Sequence, residues 1–239
     1  MMWKKRSDGL SSKKRLEPVK LSIIMPVYNA AAYLVEAVES IWNQTWNGSR
    51  EIIIVDDQSE DHSLSIAERL GDAVVSVVHG GAAKARNVGL HMASGQFVFF
   101  MDADDVLWQD ALEKLFHAME VDERCEIVYG KAEDFISPEL PDDEQRRLKA
   151  RESGYGGVLP GCALIRRSLF DRSGAFDEKL SSGETVDWMM RVKEIGAVVR
   201  EINQVTLRRR LHMTNTGRLK RGEEMKNYAA ILRKRMSKE

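Results

Sequence analysis

The chain has 239 residues, 43% hydrophobic and 31% charged, and its 36 Lys and Arg against 37 Asp and Glu leave a formal net charge of −1. This is an ordinary globular composition, long enough for one large α/β domain and short for two. The charge balance argues against a nucleic-acid partner along the whole chain. Cys125 and Cys162 lie far apart with no CxxC partner, which argues against a disulfide framework or a zinc site and fits a reducing, cytoplasmic setting.

Residues 1–19 are basic and polar, lack the apolar stretch of a signal peptide, and read as a loose tail. From residue 20 the chain alternates between two periodicities. Residues 21–27 read as a buried strand, and 31–42 as a helix with Leu34, Val38 and Ile41 at helical spacing. Strands follow at 51–55, 74–78 and 97–101, with helices at 63–70 and 83–92 between them. Strands spaced by short helices predict a mostly parallel, twisted sheet with helices on its faces. Ligands in such sheets bind beyond the carboxyl ends of the strands.

Four loops are expected at that edge, carrying Pro26, Val27, Tyr28 and Asn29, then Asp56 to Ser59, then His79 to Gly81, then Asp102 to Asp105. In the last, the apolar run ending at Met101 gives way abruptly to Asp102, Asp104 and Asp105. Unpaired carboxylates are too costly to bury, so a cation is expected there. Asp102 and Asp104, at i and i+2, are spaced to share one hard divalent ion, Mn²⁺ or Mg²⁺, whose natural third party is a diphosphate. Neither a P-loop nor a GxGxxG run is present, so a basic side chain such as Arg86 is expected to complete the neutralisation.

Beyond residue 105 the rhythm weakens. Residues 135–152 are charged and contain Pro138 and Pro141, with a short helix expected at 143–151, and the glycine-rich stretch 153–157 reads either as a mobile loop over a ligand or as a surface connection. Residues 217–239 read as a basic helix, packed on the domain or peripherally attached to an anionic membrane surface. No segment approaches the roughly 20 apolar residues needed to span a bilayer.

Several motifs, taken in order, carry a resemblance. They are Leu21-Ser-Ile-Ile-Met-Pro-Val-Tyr-Asn29, Ile53-Ile-Val-Asp-Asp-Gln-Ser59, Ala85-Arg-Asn-Val-Gly89, and Ala93-Ser-Gly-Gln-Phe-Val-Phe-Phe-Met-Asp-Ala-Asp-Asp105. The series continues through Gly161-Cys-Ala-Leu-Ile-Arg-Arg-Ser-Leu-Phe170, Gly174-Ala-Phe-Asp-Glu178, Gly183-Glu-Thr-Val-Asp-Trp-Met-Met-Arg191 and Arg208-Arg-Arg-Leu-His-Met-Thr-Asn215. Together they closely resemble family 2 glycosyltransferases of GT-A fold, in which a nucleotide-binding half, here 20–105, merges with an acceptor-binding half, here 106–216.

The resemblance implies inverting transfer of a sugar from a nucleotide-diphospho-sugar, by default a UDP-sugar, to a saccharide, lipid-linked or peptide acceptor. It assigns Pro26, Val27, Tyr28, Asp56, Asp57, Arg86, Asp102 and Ala103 to the nucleotide. It assigns Asp102, Asp104 and His212 to the metal, and Arg210 and Trp188 to the diphosphate or acceptor side. The family pattern has Glu-Asp where this chain has Glu184-Thr185, and threonine cannot act as a general base near neutral pH. Either Glu184 or Asp187 is then the expected catalytic base, or the acceptor is a thiol or another acidic group that needs little activation. Two other readings stay open: a nucleotide-sugar-binding protein without turnover, and a nucleotidyltransferase that makes the activated sugar.

Overall fold

The computed structural model describes residues 21–151, 154–157 and 160–215. The expected tail at 1–19 and basic helix at 217–239 lie outside the described residues, as does part of the glycine-rich stretch. Strands β1 (Leu21–Val27), β2 (Arg50–Asp56), β3 (Ala73–Ser76) and β4 (Phe97–Phe100) alternate with helices α1 (Leu34–Trp42), α2 (Ser63–Leu70) and α3 (Ala82–Met92). There follow β5 (Val106–Leu107), α4 (Ala111–Glu120), β6 (Ile127–Ile136), α5 (Asp142–Gln145), β7 (Ala163–Arg166), α6 (Leu169–Ser173), α7 (Glu184–Glu194) and β8 (Val199–Leu211).

One sheet holds all the strands, in the order β3-β2-β1-β4-β7-β6-β8-β5. The pairings among β3, β2, β1 and β4 are parallel, so the carboxyl ends of these strands open at one edge. Strand β7 runs antiparallel to both β4 and β6, β6 is parallel to β8, and β5 is antiparallel to β8.

Strands buried on both faces explain the unbroken apolar runs. Ile23, Met25, Ile52, Ile54, Phe97 and Phe99 face one core with Leu34, Ile41 and Leu115, while Ile24, Ile53, Val55, Val98 and Phe100 face the other with Ala85, Phe170 and Trp188. Each such fully buried large side chain contributes about 1.5–3 kcal/mol. Helix α3 lies close on β1 because residue 89 is glycine: a Cβ there would stand 2.3 Å from Ile24 Cγ2.

Two expected elements are shorter than anticipated. The helix expected from residue 31 is preceded by a turn and begins at Leu34. The one expected at 143–151 is only the single turn α5, made around Pro141, with Gln145 Nε2 turned back onto Leu140 O at 2.7 Å.

Candidate active site

The loops at the carboxyl ends of β1, β2 and β3 are stitched together by side chains. Asn29, in left-handed conformation (φ 49°), donates its N–H to Ser59 Oγ at 3.0 Å and accepts from Glu60 N at 2.8 Å. Gln58, also left-handed (φ 62°), accepts from His79 N at 3.0 Å. Asp57 accepts from Gly80 N and Gly81 N, both at 2.8 Å, and Asp56 accepts from Ser76 Oγ at 2.9 Å and from Ser59 N. Both aspartates are buried and hold the rim from within. Val27 and Ala103 are likewise buried, and Pro26 lies half-buried in the β1 ladder opposite Val55. What this corner presents outward is Tyr28, 48% exposed, its ring 4.6 Å from that of His79.

Arg86 occupies the centre. It rises from α3, 4% exposed, and its two terminal nitrogens donate to Asp102 Oδ1 at 2.8 Å and Glu184 Oε1 at 2.5 Å. The guanidinium therefore ties the end of β4 to the start of α7. Burial opposes its charge, but Asp102 and Glu184 outweigh it and raise its pKa further. Burial, opposed by Arg86 and reinforced by Asp104, lifts the Asp102 carboxyl above the ordinary range. Asp105, shut inside, is raised well above it by burial and by the charges of Asp104 and Asp102.

Asp104 faces the end of β8. Its Oδ2 lies 2.9 Å from His212 Nε2 and accepts from Asn215 Nδ2 at 3.2 Å. The His212 ring packs 4.6 Å from that of Tyr33, and its Nδ1 is 2.9 Å from Thr214 Oγ1. Arg210 is placed differently from its expected role at the diphosphate. It is 2% exposed, with its guanidinium directed at Glu36, the Asp104 carbonyl and Ser137, and its own N–H donates to Asp105 Oδ1 at 2.9 Å. It buttresses the aspartate turn from behind.

Among the described residues no three His, Cys, Asp or Glu side chains already enclose a common point. The side-chain types are nevertheless those a divalent ion accepts. Asp102, Asp104 and an imidazole with its second nitrogen oriented by Thr214 are hard or borderline ligands suited to Mn²⁺ or Mg²⁺. Burial is the main cause that raises Asp102 and Asp105, and the neighbouring carboxylates add to it, a charge that such an ion would relieve.

Of the two candidate bases, the structure brings Glu184 to the site through Arg86, whereas Asp187 pairs with Arg191 Nε at 3.1 Å along α7. Arg191 in turn donates to the carbonyls of Ser173 and Ala175, so Asp187 belongs to the clamp that holds α6 against α7. Trp188, expected on the diphosphate or acceptor side, is 1% exposed, stacks on Phe170 at 4.7 Å, and donates its indole N–H to Ser173 Oγ at 2.9 Å.

Residues 22–174 match the family profile described as "Glycosyl transferase family 2". The chain belongs to glycosyltransferase family 2. It is 31% identical over 176 residues to Glycosyltransferase GlyG of Streptococcus pneumoniae, an overlap of 63% of this chain and 58% of GlyG. It is 30% identical over 235 residues to the uncharacterized glycosyltransferase RP339 of Rickettsia prowazekii, 92% of this chain and 73% of that one.

Among solved structures, S. aureus TarS 1-349 in complex with UDP-GlcNAc superposes with a TM-score of 0.68 at 23% identity, over 82% of this chain and 60% of that chain. Mannosyltransferase PcManGT from Pyrobaculum calidifontis, in complex with GDP-Man and Mn2+, superposes with a TM-score of 0.69 at 18% identity, over 93% and 68%. These likenesses establish the α/β GT-A fold. The chain thus spans less than two thirds of GlyG and TarS 1-349.

Two further residues take places at this site, His79 from a loop expected at the strand edge and Asn215 from the motif that contains His212. His79 shares the outward-facing corner with Tyr28, and Asn215 shares Asp104 with His212. Asn215 had a legible signal, since it ends the motif that contains His212. Trp188 also had one: with Val192 it forms an i, i+4 pair on α7, which marks a core face.

Proposed function

We propose that this family 2 chain transfers a sugar from a nucleotide-diphospho-sugar, by default a UDP-sugar, to an acceptor hydroxyl in one displacement with inversion. The observation that carries the reading is the pair of contacts at the carboxyl edge of the parallel strands, Asp102 and Glu184 joined through Arg86 and, next to Asp102 in sequence, Asp104 against His212. Tyr28 and His79 give the nucleobase a ring to lie against. A divalent ion held by Asp102, Asp104 and His212 would supply the positive charge that stabilises a departing nucleoside diphosphate.

Arg86 holds the Glu184 carboxylate beside the donor, and Glu184 takes the proton from the acceptor hydroxyl as the new bond to the anomeric carbon forms. Thr185 has no part in that proton transfer. The acceptor is a saccharide, a lipid-linked saccharide or a peptide, met on the side of residues 106–216. No helix among the described residues is long and apolar enough to cross a membrane. Cytoplasmic placement and peripheral membrane contact through 217–239 remain part of the proposal.

The products test it. Incubation with UDP-sugars, Mn²⁺ and a panel of such acceptors should release UDP. Release of pyrophosphate from UTP and a sugar phosphate would instead establish the nucleotidyltransferase reading, and tight donor binding with no product from any acceptor would favour a binding protein.

A further inference from the structure

The sheet ends at β5, and Trp108 follows that strand directly. Leu107 turns into the core, whereas Trp108 is 42% exposed. It stands at the head of a row of stacked side chains. The Arg208 guanidinium carbon lies 5.5 Å from the centre of the Trp108 ring and 4.5 Å from that of Phe135. That of Arg210 lies 4.6 Å from the Phe135 ring and 5.0 Å from the ring of Tyr33, which packs against His212. Aromatic and basic groups therefore alternate from a solvent-facing tryptophan to the proposed metal ligand. Glu133 completes the outer end: it accepts the indole N–H at 3.2 Å and stands 3.9 Å from Arg208 Nε.

A single exposed apolar side chain needs no explanation. This one differs in what surrounds it. Its indole N–H is already taken by Glu133, so the ring offers a ligand apolar surface. Beside that surface stand a part-exposed carboxylate and a part-exposed guanidinium whose charges offset each other. A pyranose presents a face of C–H groups rimmed by hydroxyls that donate and accept; the Trp108 ring suits the first, and Glu133 and Arg208 suit the second. A phosphate-rich chain would find no excess positive charge in this pair. Arg208 precedes His212 by four residues, about 13 Å along an extended strand. A sugar reacting at the donor is therefore out of reach of Trp108, while sugars further along the same chain can lie on it.

We propose that Trp108, with Glu133 and Arg208, is a distal subsite for the acceptor, and that the acceptor is an oligosaccharide chain lying along this row with its reacting end at the donor. A sugar remote from the transfer point stacks on the indole and exchanges hydrogen bonds with the two charged groups. This rests on the glycosyltransferase reading above and chooses among its acceptor classes.

The test is binding of the full chain, loaded with UDP and Mn²⁺, to an array of immobilised single sugars, oligosaccharides and peptides, for the wild type, Trp108→Ala, Trp108→Phe and Trp108→Leu. Calorimetry measures the UDP affinity of each. The wild type is expected to hold at least one oligosaccharide about tenfold or more tighter than the single sugar at its free end, and Trp108→Ala to lose that advantage with UDP affinity unchanged. Should Trp108→Ala weaken UDP as well, the other two variants decide, since both keep apolar bulk and Trp108→Phe alone keeps a ring: Trp108→Phe is expected to retain most of the advantage and Trp108→Leu to lose it. No oligosaccharide held, equal binding of single sugars and oligosaccharides, an advantage untouched by Trp108→Ala and Trp108→Leu, or binding of peptides alone overturns the inference, and UDP binding in the same samples leaves the proposed function standing. Failure of the wild type to bind UDP overturns both.

Discussion

His212 and Asp104 are 108 residues apart in sequence, and their side chains meet at 2.9 Å, Nε2 to Oδ2, closing the end of β8 onto the turn that follows β4. The contact brings an imidazole to the carboxylate proposed to hold the metal. His212→Ala is expected to weaken Mn²⁺-dependent UDP binding on the order of 10- to 100-fold. UMP binding should fall much less, because the loss acts on the distal phosphate. Calorimetry with both nucleotides checks this, and equal losses would remove His212 from the diphosphate side.

Arg86→Met is expected to destabilise the fold by about 2–4 kcal/mol, somewhat below the cost of stripping a fully buried ion pair because Asp102 keeps partial solvent access. It leaves two neighbouring carboxylates without their cation. Glu184→Gln in the same background should recover part of the loss by removing one of those charges. Urea denaturation midpoints of the single and double variants measure both effects.

Glu184→Gln alone should leave donor affinity within a few-fold and slow transfer on the order of 10²- to 10⁴-fold. Asp187→Asn should do the reverse, retaining transfer while costing up to about 1 kcal/mol through the weakened pair with Arg191. Steady-state rates beside denaturation curves separate the two residues. A transfer defect in Asp187→Asn with unchanged stability would contradict the assignment.

Burial pushes the Cys162 thiol up to about 12, and burial together with its hydrogen bond to Asp134 pushes the Tyr155 hydroxyl up to about 12. Unfolded, these groups titrate near about 8.5 and about 10. The folded state therefore keeps protons that the unfolded state releases, so stability is fully present below those unfolded values and is lost as pH rises from them toward 12. Thermal unfolding between pH 8 and 11 should show this decline, less steep in Cys162→Ala. A thiol reagent at pH 8 should modify Cys162 only at the rate of unfolding.

Much of the nucleotide half is legible in sequence because its strands are buried on both faces and end in polar loops. Continuous apolar runs at 21–27 and 97–101 could be little else, and parallel topology then fixes which edge the loops share. The second half is less legible. Strand β7 enters antiparallel between β4 and β6, and its four residues, Ala163–Arg166, carry no period that announces direction.

Within the site, residue types were readable and orientations were not. Asp56 and Asp57 look like ligand-facing carboxylates in a loop, yet both turn inward, because the backbone N–H groups of Ser59, Gly80 and Gly81 need acceptors. The Arg86–Glu184 contact spans 98 positions and depends on where the fold sets the start of α7, which no local pattern encodes. Arg210 is expected at the diphosphate or acceptor side, but its burial behind Asp104 follows from the alternation of β8, visible only once the register with β6 is known.

Asp102, Asp104 and His212 are proposed to form a divalent-ion site for a nucleoside diphosphate. Its most direct test is calorimetric titration of the wild type and Asp104→Ala with UDP and GDP, in Mn²⁺ and in excess EDTA. The wild type is expected to bind one of the two nucleotides in Mn²⁺, with binding lost in EDTA and absent in Asp104→Ala. Binding that persists in EDTA, or in Asp104→Ala at unchanged Mn²⁺-dependent affinity, would contradict it.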